Sequence, residues 1–132
     1  MSAGYQQLEV WKRATELAVA VYRASMDGFL SKDFGLRDQM QRAAVSIASN
    51  IAEGDERESN KESVRYFYIA RGSAAELQTQ LIIAHRVGII DPCTFQQLSD
   101  SCDHVGRMLF KLIQVRTRTK SQQPKSPMPS AF

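Results

Sequence analysis

Apolar residues recur along this chain at alternating three- and four-residue intervals, the period of one helix face, in four blocks separated by glycine, proline or polar breaks. The first block runs from about Gln7 to Met26. Leu8, Trp11, Thr15, Ala18 and Tyr22 fall on one line, and Val10, Ala14, Leu17 and Val21 on the next. Gly28 is placed to give this helix a left-handed C-terminal cap. The second block spans about Gly35 to Glu53. It carries Ala44, Ile47 and Ile51 on one side and Arg42, Ser46, Asn50 and Glu53 on another, and it is expected to stop at Gly54. Ser59-Asn-Lys-Glu62 then reads as a capping box, in which the Ser59 hydroxyl accepts from the amide three residues on and Glu62 reaches back to the Ser59 amide.

The third block follows that box and continues to Val87, with Phe67, Ala70, Ala74, Leu77, Leu81 and Ala84 in register, and Gly88 ends it. The fourth opens at Asp91-Pro92, an N-cap acid followed by proline at the first helical position, where the missing N–H costs nothing. Phe95, Leu98, Cys102, Val105, Leu109 and Leu112 continue it. No block alternates with period two, so no strand is predicted. Long amphipathic helices joined by short links lie antiparallel to their neighbours. The predicted fold is therefore an all-α, up-down-up-down antiparallel four-helix bundle formed by residues 1–120 as one domain. Residues 121–132, with three prolines among small polar residues, are expected to be a disordered tail.

The four blocks leave some surface unexplained. Gly72, Ser73, Ala74 and Ala75 lie in the middle of the third block, where a glycine costs about 1 kcal/mol relative to alanine. Either a partner helix approaches closely there, or the bundle packs tightly on itself. Tyr66, Ile69, Ser73, Glu76, Gln80 and Ile83 form a line with apolar ends and a polar middle. Arg42, Ser46, Asn50, Glu53 and Arg57 make a comparable polar line on the second block. The two lines could join as one hydrogen-bonded layer, inside the bundle or between subunits, or each could be a solvated face. Ser46, Asn50, Glu53, Gly72, Ser73, Glu76 and Gln80 are thus the candidate oligomer or polar-layer residues. Arg71 with Tyr66 and Tyr68 is a further surface candidate.

Composition changes this picture little. With 43% hydrophobic and 23% charged residues the chain is an ordinary globular protein. Charged residues interrupt its first apolar segment, and no run approaches the roughly 20 apolar residues that span a bilayer, so a cytoplasmic, non-membrane protein is expected. Cys93 and Cys102 sit nine positions apart, nearly opposite one another on a helix, and read as small apolar fillers rather than a disulfide.

Charge is more informative. Residues 31–60 hold four bases and six acids, a net of −2, whereas residues 91–132 hold six bases and three acids, a net of +3. From Arg107 to Lys125 there is no acid at all. Arg107, Lys111 and Arg118 fall within about 40° of one another on a helical wheel. With Arg116 and Lys120 they are the candidate phosphate-binding residues, whose contacts would be sequence-blind and salt-sensitive. Alternatively, bases near a helix C-terminus complement its dipole and keep the protein soluble.

Catalytic chemistry is not legible. A di-iron bundle needs two Glu-x-x-His pairs, but the only histidines, His85 and His104, are preceded at that offset by Ile82 and Ser101. Cys102 and His104 cannot complete a zinc site. No GxSxG, HExxH, GxGxxG or P-loop sequence occurs. No catalytic residue, cofactor or metal is therefore expected.

Leu8-Glu-Val-Trp11, Gly35-Leu36, Gln39, Arg42-Ala-Ala-Val-Ser-Ile47 and Asn50-Ile-Ala-Glu-Gly54 form a familiar pattern. Arg57, Ser59, Glu62, Phe67, Ala70, Gly72-Ser73, Glu76-Leu77 and Gln80-Leu81 continue it. On these residues the chain resembles the bacterial 23S rRNA-intervening-sequence proteins, from residue 5 to about residue 115. The resemblance implies a left-handed four-helix bundle assembled into a ring-like homopentamer. It also implies a distant likeness to the accessory proteins of diversity-generating retroelements, basic pentamers that bind RNA and a reverse transcriptase. The expected function is a non-enzymatic oligomeric scaffold that binds RNA or a ribonucleoprotein through basic surfaces. The alternative is a protein-binding adaptor with no nucleic-acid role.

Overall fold

The computed structural model describes residues 4–121, with side chains as far as Arg118. Four helices account for nearly all of it: α1 (Glu9–Ala24), α2 (Phe34–Asp55), α3 (Asn60–Arg86) and α4 (Pro92–Ser121). Short 3-10 turns at Gly4–Gln7 and Leu30–Lys32 precede α1 and α2. Among the described residues there is no strand. The predicted tail lies outside them, apart from Ser121, which ends α4.

Local chemistry sets the helix starts. Asp33 caps α2 by accepting from the Leu36 amide, and Ser59 caps α3 by accepting from the Glu62 amide at 3.2 Å. Of the predicted reciprocal capping box, only this Ser59 half forms among the described residues. Asp91 caps α4 through both oxygens, accepting from the Thr94 amide and the Thr94 hydroxyl, each at 2.8 Å. These two bonds, the amide first, hold its carboxyl below the usual carboxylate range.

The helix ends differ from expectation in two places. Gly28 (φ +64°) does adopt the left-handed conformation, but four residues beyond α1, where it closes the following turn. Gly54 does not stop α2. It lies within the helix, buried, without a positive φ. Its role is spatial: an added Cβ would sit 2.7 Å from Cε1 of Phe67 and 3.0 Å from the Ser63 carbonyl. The bare backbone lets α2 and α3 meet at their turn, and the Ser63 hydroxyl donates to the Gly54 carbonyl at 2.7 Å.

The predicted apolar lines form the core. Val10, Ala14, Leu17 and Val21 of α1, Ala44, Ile47 and Ile51 of α2, and the whole Phe67–Ala84 line of α3 are buried. In α4 the buried series is Leu98, Cys102, Val105, Leu109 and Ile113, with Phe95 and Leu112 partly covered. Leu8, Trp11 and Ala18 are also only partly buried, and Tyr22 is exposed. Each helix packs on the next, and α4 returns to α1.

Cross-helix bonds show that α2 and α3 run antiparallel, as do α3 and α4. Ser46 meets Ser73 between α2 and α3. Between α3 and α4, Gln78 and Ser99 exchange two hydrogen bonds, and the Cys102 thiol donates to the Ala74 carbonyl at 3.2 Å. Cys102 fills core space as expected, whereas Cys93 is exposed at the start of α4. Burial, then the neighbouring Asp103, pushes the Cys102 thiol up to about 12.

Candidate functional site

Two faces of the bundle carry the residues singled out above. The first is the outer seam between α2 and α3, where part of the two polar lines joins. The hydroxyls of Ser46 and Ser73 lie 2.8 Å apart, and the Asn50 amide donates to the Ser46 hydroxyl at 3.0 Å and to its carbonyl at 2.9 Å. This spacing is helical in origin: positions 46 and 50 are one turn apart, so one amide reaches both Ser46 oxygens.

A second cluster sits nearer the turn. Arg57 pairs with Glu53, donates to the Tyr66 hydroxyl at 3.0 Å, and lies 4.6 Å from the centre of the Tyr66 ring. Two buried polar atoms of the seam have no partner: the Nε of Arg57 and the Oε1 of Gln80, a residue only 6% exposed. A buried group left unpaired costs about 1–3 kcal/mol, so these are the seam's unfinished points.

Glu76 and Gly72 are exposed and take no part in the ladder. An added Cβ at Gly72 would meet no atom within 4 Å, which rules out tight packing within the bundle as the reason for that glycine. On the same side of α3, Ile69 and Ile83 are 44% and 47% exposed. The α2/α3 face thus combines a partly satisfied polar ladder with uncovered branched apolar side chains.

The second face is the outer side of α4. Arg107, Lys111 and Arg118 are exposed on one stripe, and Arg107 pairs with Asp103 one turn back at 3.0 Å. Beside the stripe the Arg71 guanidinium lies 5.1 Å from the centre of the half-exposed Phe110 ring, at the edge of a groove between α3 and α4. No spacing along the chain links Arg71 with Phe110, because they lie on different helices.

Arg116 does not join the stripe. Nine residues from Arg107, it projects about 180° away around the helix. Its guanidinium donates to Asp55 at 2.8 Å, with the two side chains 22% and 15% exposed, and sits 5.2 Å from the centre of the Phe67 ring. It is a clamp between the end of α4 and the end of α2. The Lys120 side chain lies outside the described residues.

Among the described residues, no three His, Cys, Asp or Glu side chains converge where they could hold a metal. No described helix is long and apolar enough to cross a membrane.

An all-α bundle with a polar-laddered helix pair and a separate basic stripe defines the class of small helical-bundle protein. The sequence pattern of the 23S rRNA-intervening sequence proteins matches residues 6–111, and the chain belongs to that family. No curated protein matches it. Among solved structures it is similar to a protein of unknown function from the S23 ribosomal protein family of Bacteroides thetaiotaomicron VPI-5482. The two are 22% identical with a TM-score of 0.74, over 80% of this chain and 98% of that one. At that identity the likeness speaks for the fold.

Proposed function

We propose that this protein is a non-enzymatic, self-associating helical scaffold of the cytoplasm, forming a ring of copies, that carries RNA or a ribonucleoprotein on the basic stripe of α4. The observation that supports it best is the unfinished α2/α3 face. Uncovered Ile69 and Ile83 flank a seam whose Gln80 and Arg57 keep unpaired buried atoms. A second copy seated there would cover the former and could satisfy the latter. That arrangement of apolar area around a few polar points is how stable interfaces are built. Association would set the α4 stripes of successive copies around the assembly, multiplying weak phosphate contacts into avidity.

Light scattering of nuclease-treated protein tests the first half, and a single copy at high concentration refutes it. For the second half, binding of a structured RNA is followed across a salt series. Wild-type affinity should fall steeply with salt, and Arg107→Gln, Lys111→Gln and Arg118→Gln should each lower the log–log slope by about 1 where that residue contacts a phosphate. No salt-dependent binding at low ionic strength removes the nucleic-acid role. A protein that stays bound after nuclease treatment would then favour the adaptor reading.

A further inference from the structure

The loop end of the bundle, where α1 and α3 finish and α2 and α4 begin, holds a cleft of about 620 Å³ that neither surface above uses. Its walls come from the turn after α1 and the turn between α3 and α4. Both turns are closed by left-handed glycines, Gly28 (φ +64°) and Gly88 (φ +83°), with empty space where a side chain would stand. Ile89 and Phe29 provide apolar wall. Among the lining residues are two carboxylates, Asp27 and Asp91, and no lysine or arginine. Asp27 pairs with no base among the described residues. The C-terminal ends of α1 and α3 and the N-terminal end of α4 meet here, so their dipoles oppose one another and the side chains set the sign: the lining carries two acids and no lysine or arginine in a protein of net charge +3.

The exposed ring and apolar side chains beside the carboxylates select the kind of cation. His85, also in the wall, stacks on Phe95 with ring centres 4.3 Å apart, and its Nδ1 is buried without a hydrogen-bond partner. Phe29 is 67% exposed, so a ring face is available to a flat cation. Met26 and Val87, each one residue from a lining position, are 72% and 63% exposed. An apolar rim around a charged pocket exceeds what a small free ion needs and matches the anatomy of a protein-binding hot spot.

We propose that this cleft receives the side chain of an arginine presented by another protein, its guanidinium bridging Asp27 and Asp91 and lying against Phe29, while the partner's backbone covers Met26 and Val87. Arginine fits better than lysine because its planar fork can serve two carboxylates and stack on an aromatic ring at once. The inference does not depend on the basic stripe or on self-association, which use other faces.

The test uses the whole chain, isotope-labelled for NMR, and a blocked probe, N-acetyl-arginine methylamide. The citrulline analogue, which keeps the shape and loses the charge, serves as comparison. The arginine probe should shift the backbone signals of residues 27–29 and 85–91 with millimolar affinity, and the citrulline probe should leave them in place. Asp27→Asn with Asp91→Asn should weaken binding at least tenfold. Asparagine remains a good N-cap, so the α4 start is retained. Unchanged signals outside the cleft report that the double variant is folded, and Asp27→Asn alone, at an exposed turn position, gives the same comparison if it is not. Equal shifts with citrulline, shifts scattered over the surface, or undiminished binding by the variants would each overturn the proposal.

Discussion

Substituting Gly54 by alanine measures how closely α2 and α3 meet. The new Cβ would lie 2.7 Å from Cε1 and 3.0 Å from Cδ1 of Phe67, and 3.0 Å from the Ser63 carbonyl. Neither neighbour can give way cheaply. Phe67 is wholly buried with the Arg116 guanidinium beside its ring, and the carbonyl belongs to the first turns of α3. Alanine is favoured over glycine inside a helix by about 1 kcal/mol. Against that, forcing a methyl into a filled site costs about 1–3 kcal/mol. Displacing the Ser63–Gly54 hydrogen bond adds about 1 kcal/mol more.

The net expectation is a loss of about 1–3 kcal/mol, or roughly 1 M in the urea midpoint at the slopes usual for small proteins. Gly72→Ala supplies the contrast. Nothing lies within 4 Å of its new methyl, so only the helix-propensity gain remains and the stability should rise by up to about 1 kcal/mol. Both are measured at one low protein concentration, so that association does not contribute. A Gly54→Ala protein as stable as wild type would refute the steric argument, as would two variants shifting in the same direction.

Arg116→Gln leaves Asp55 unpaired where it is largely buried, and should destabilise the chain by about 1–3 kcal/mol in the same urea assay. RNA affinity in the folded variant should be unchanged, in contrast to Arg107→Gln and Lys111→Gln. In the native protein a thiol reagent at neutral pH should label Cys93 quickly. Cys102, buried and with its thiol raised to about 12, should react only once the chain unfolds; two fast-reacting thiols would contradict this. Because the folded Cys102 value lies above its ordinary 9.0, the unfolded chain gives up this proton first as pH rises. The contribution is complete below about pH 9 and is lost progressively towards pH 12. Cys102→Ala should therefore flatten the alkaline slope by at most about 1.4 kcal/mol per pH unit.

The fold was legible because core burial follows helical period, and the strict spacing of Phe67, Ala70, Ala74, Leu77, Leu81 and Ala84 left no other face to bury. The polar ladder was legible for the same reason: Ser46, Asn50 and Ser73 occupy the turns next to that face. Gly54 was misread as a helix stop because a glycine needed for room and one needed for a left-handed cap look alike in sequence. Arg116 was grouped with its neighbours by charge, although its angular position already separated it. The end cleft gave no signal, since its walls come from turns far apart in the chain and no periodicity joins them.

The near-contact at Gly54 also bears on the order in which the chain takes shape. Its hydrogen bond to Ser63 of α3 links residues nine apart across one short turn, so closing that loop costs little entropy. The α2–α3 hairpin can zip from this point before the rest of the chain is in reach, and local pairings of this kind favour rapid folding. On a translating ribosome it would be the first stable platform, with α1 held in waiting and α4 docking as it emerges.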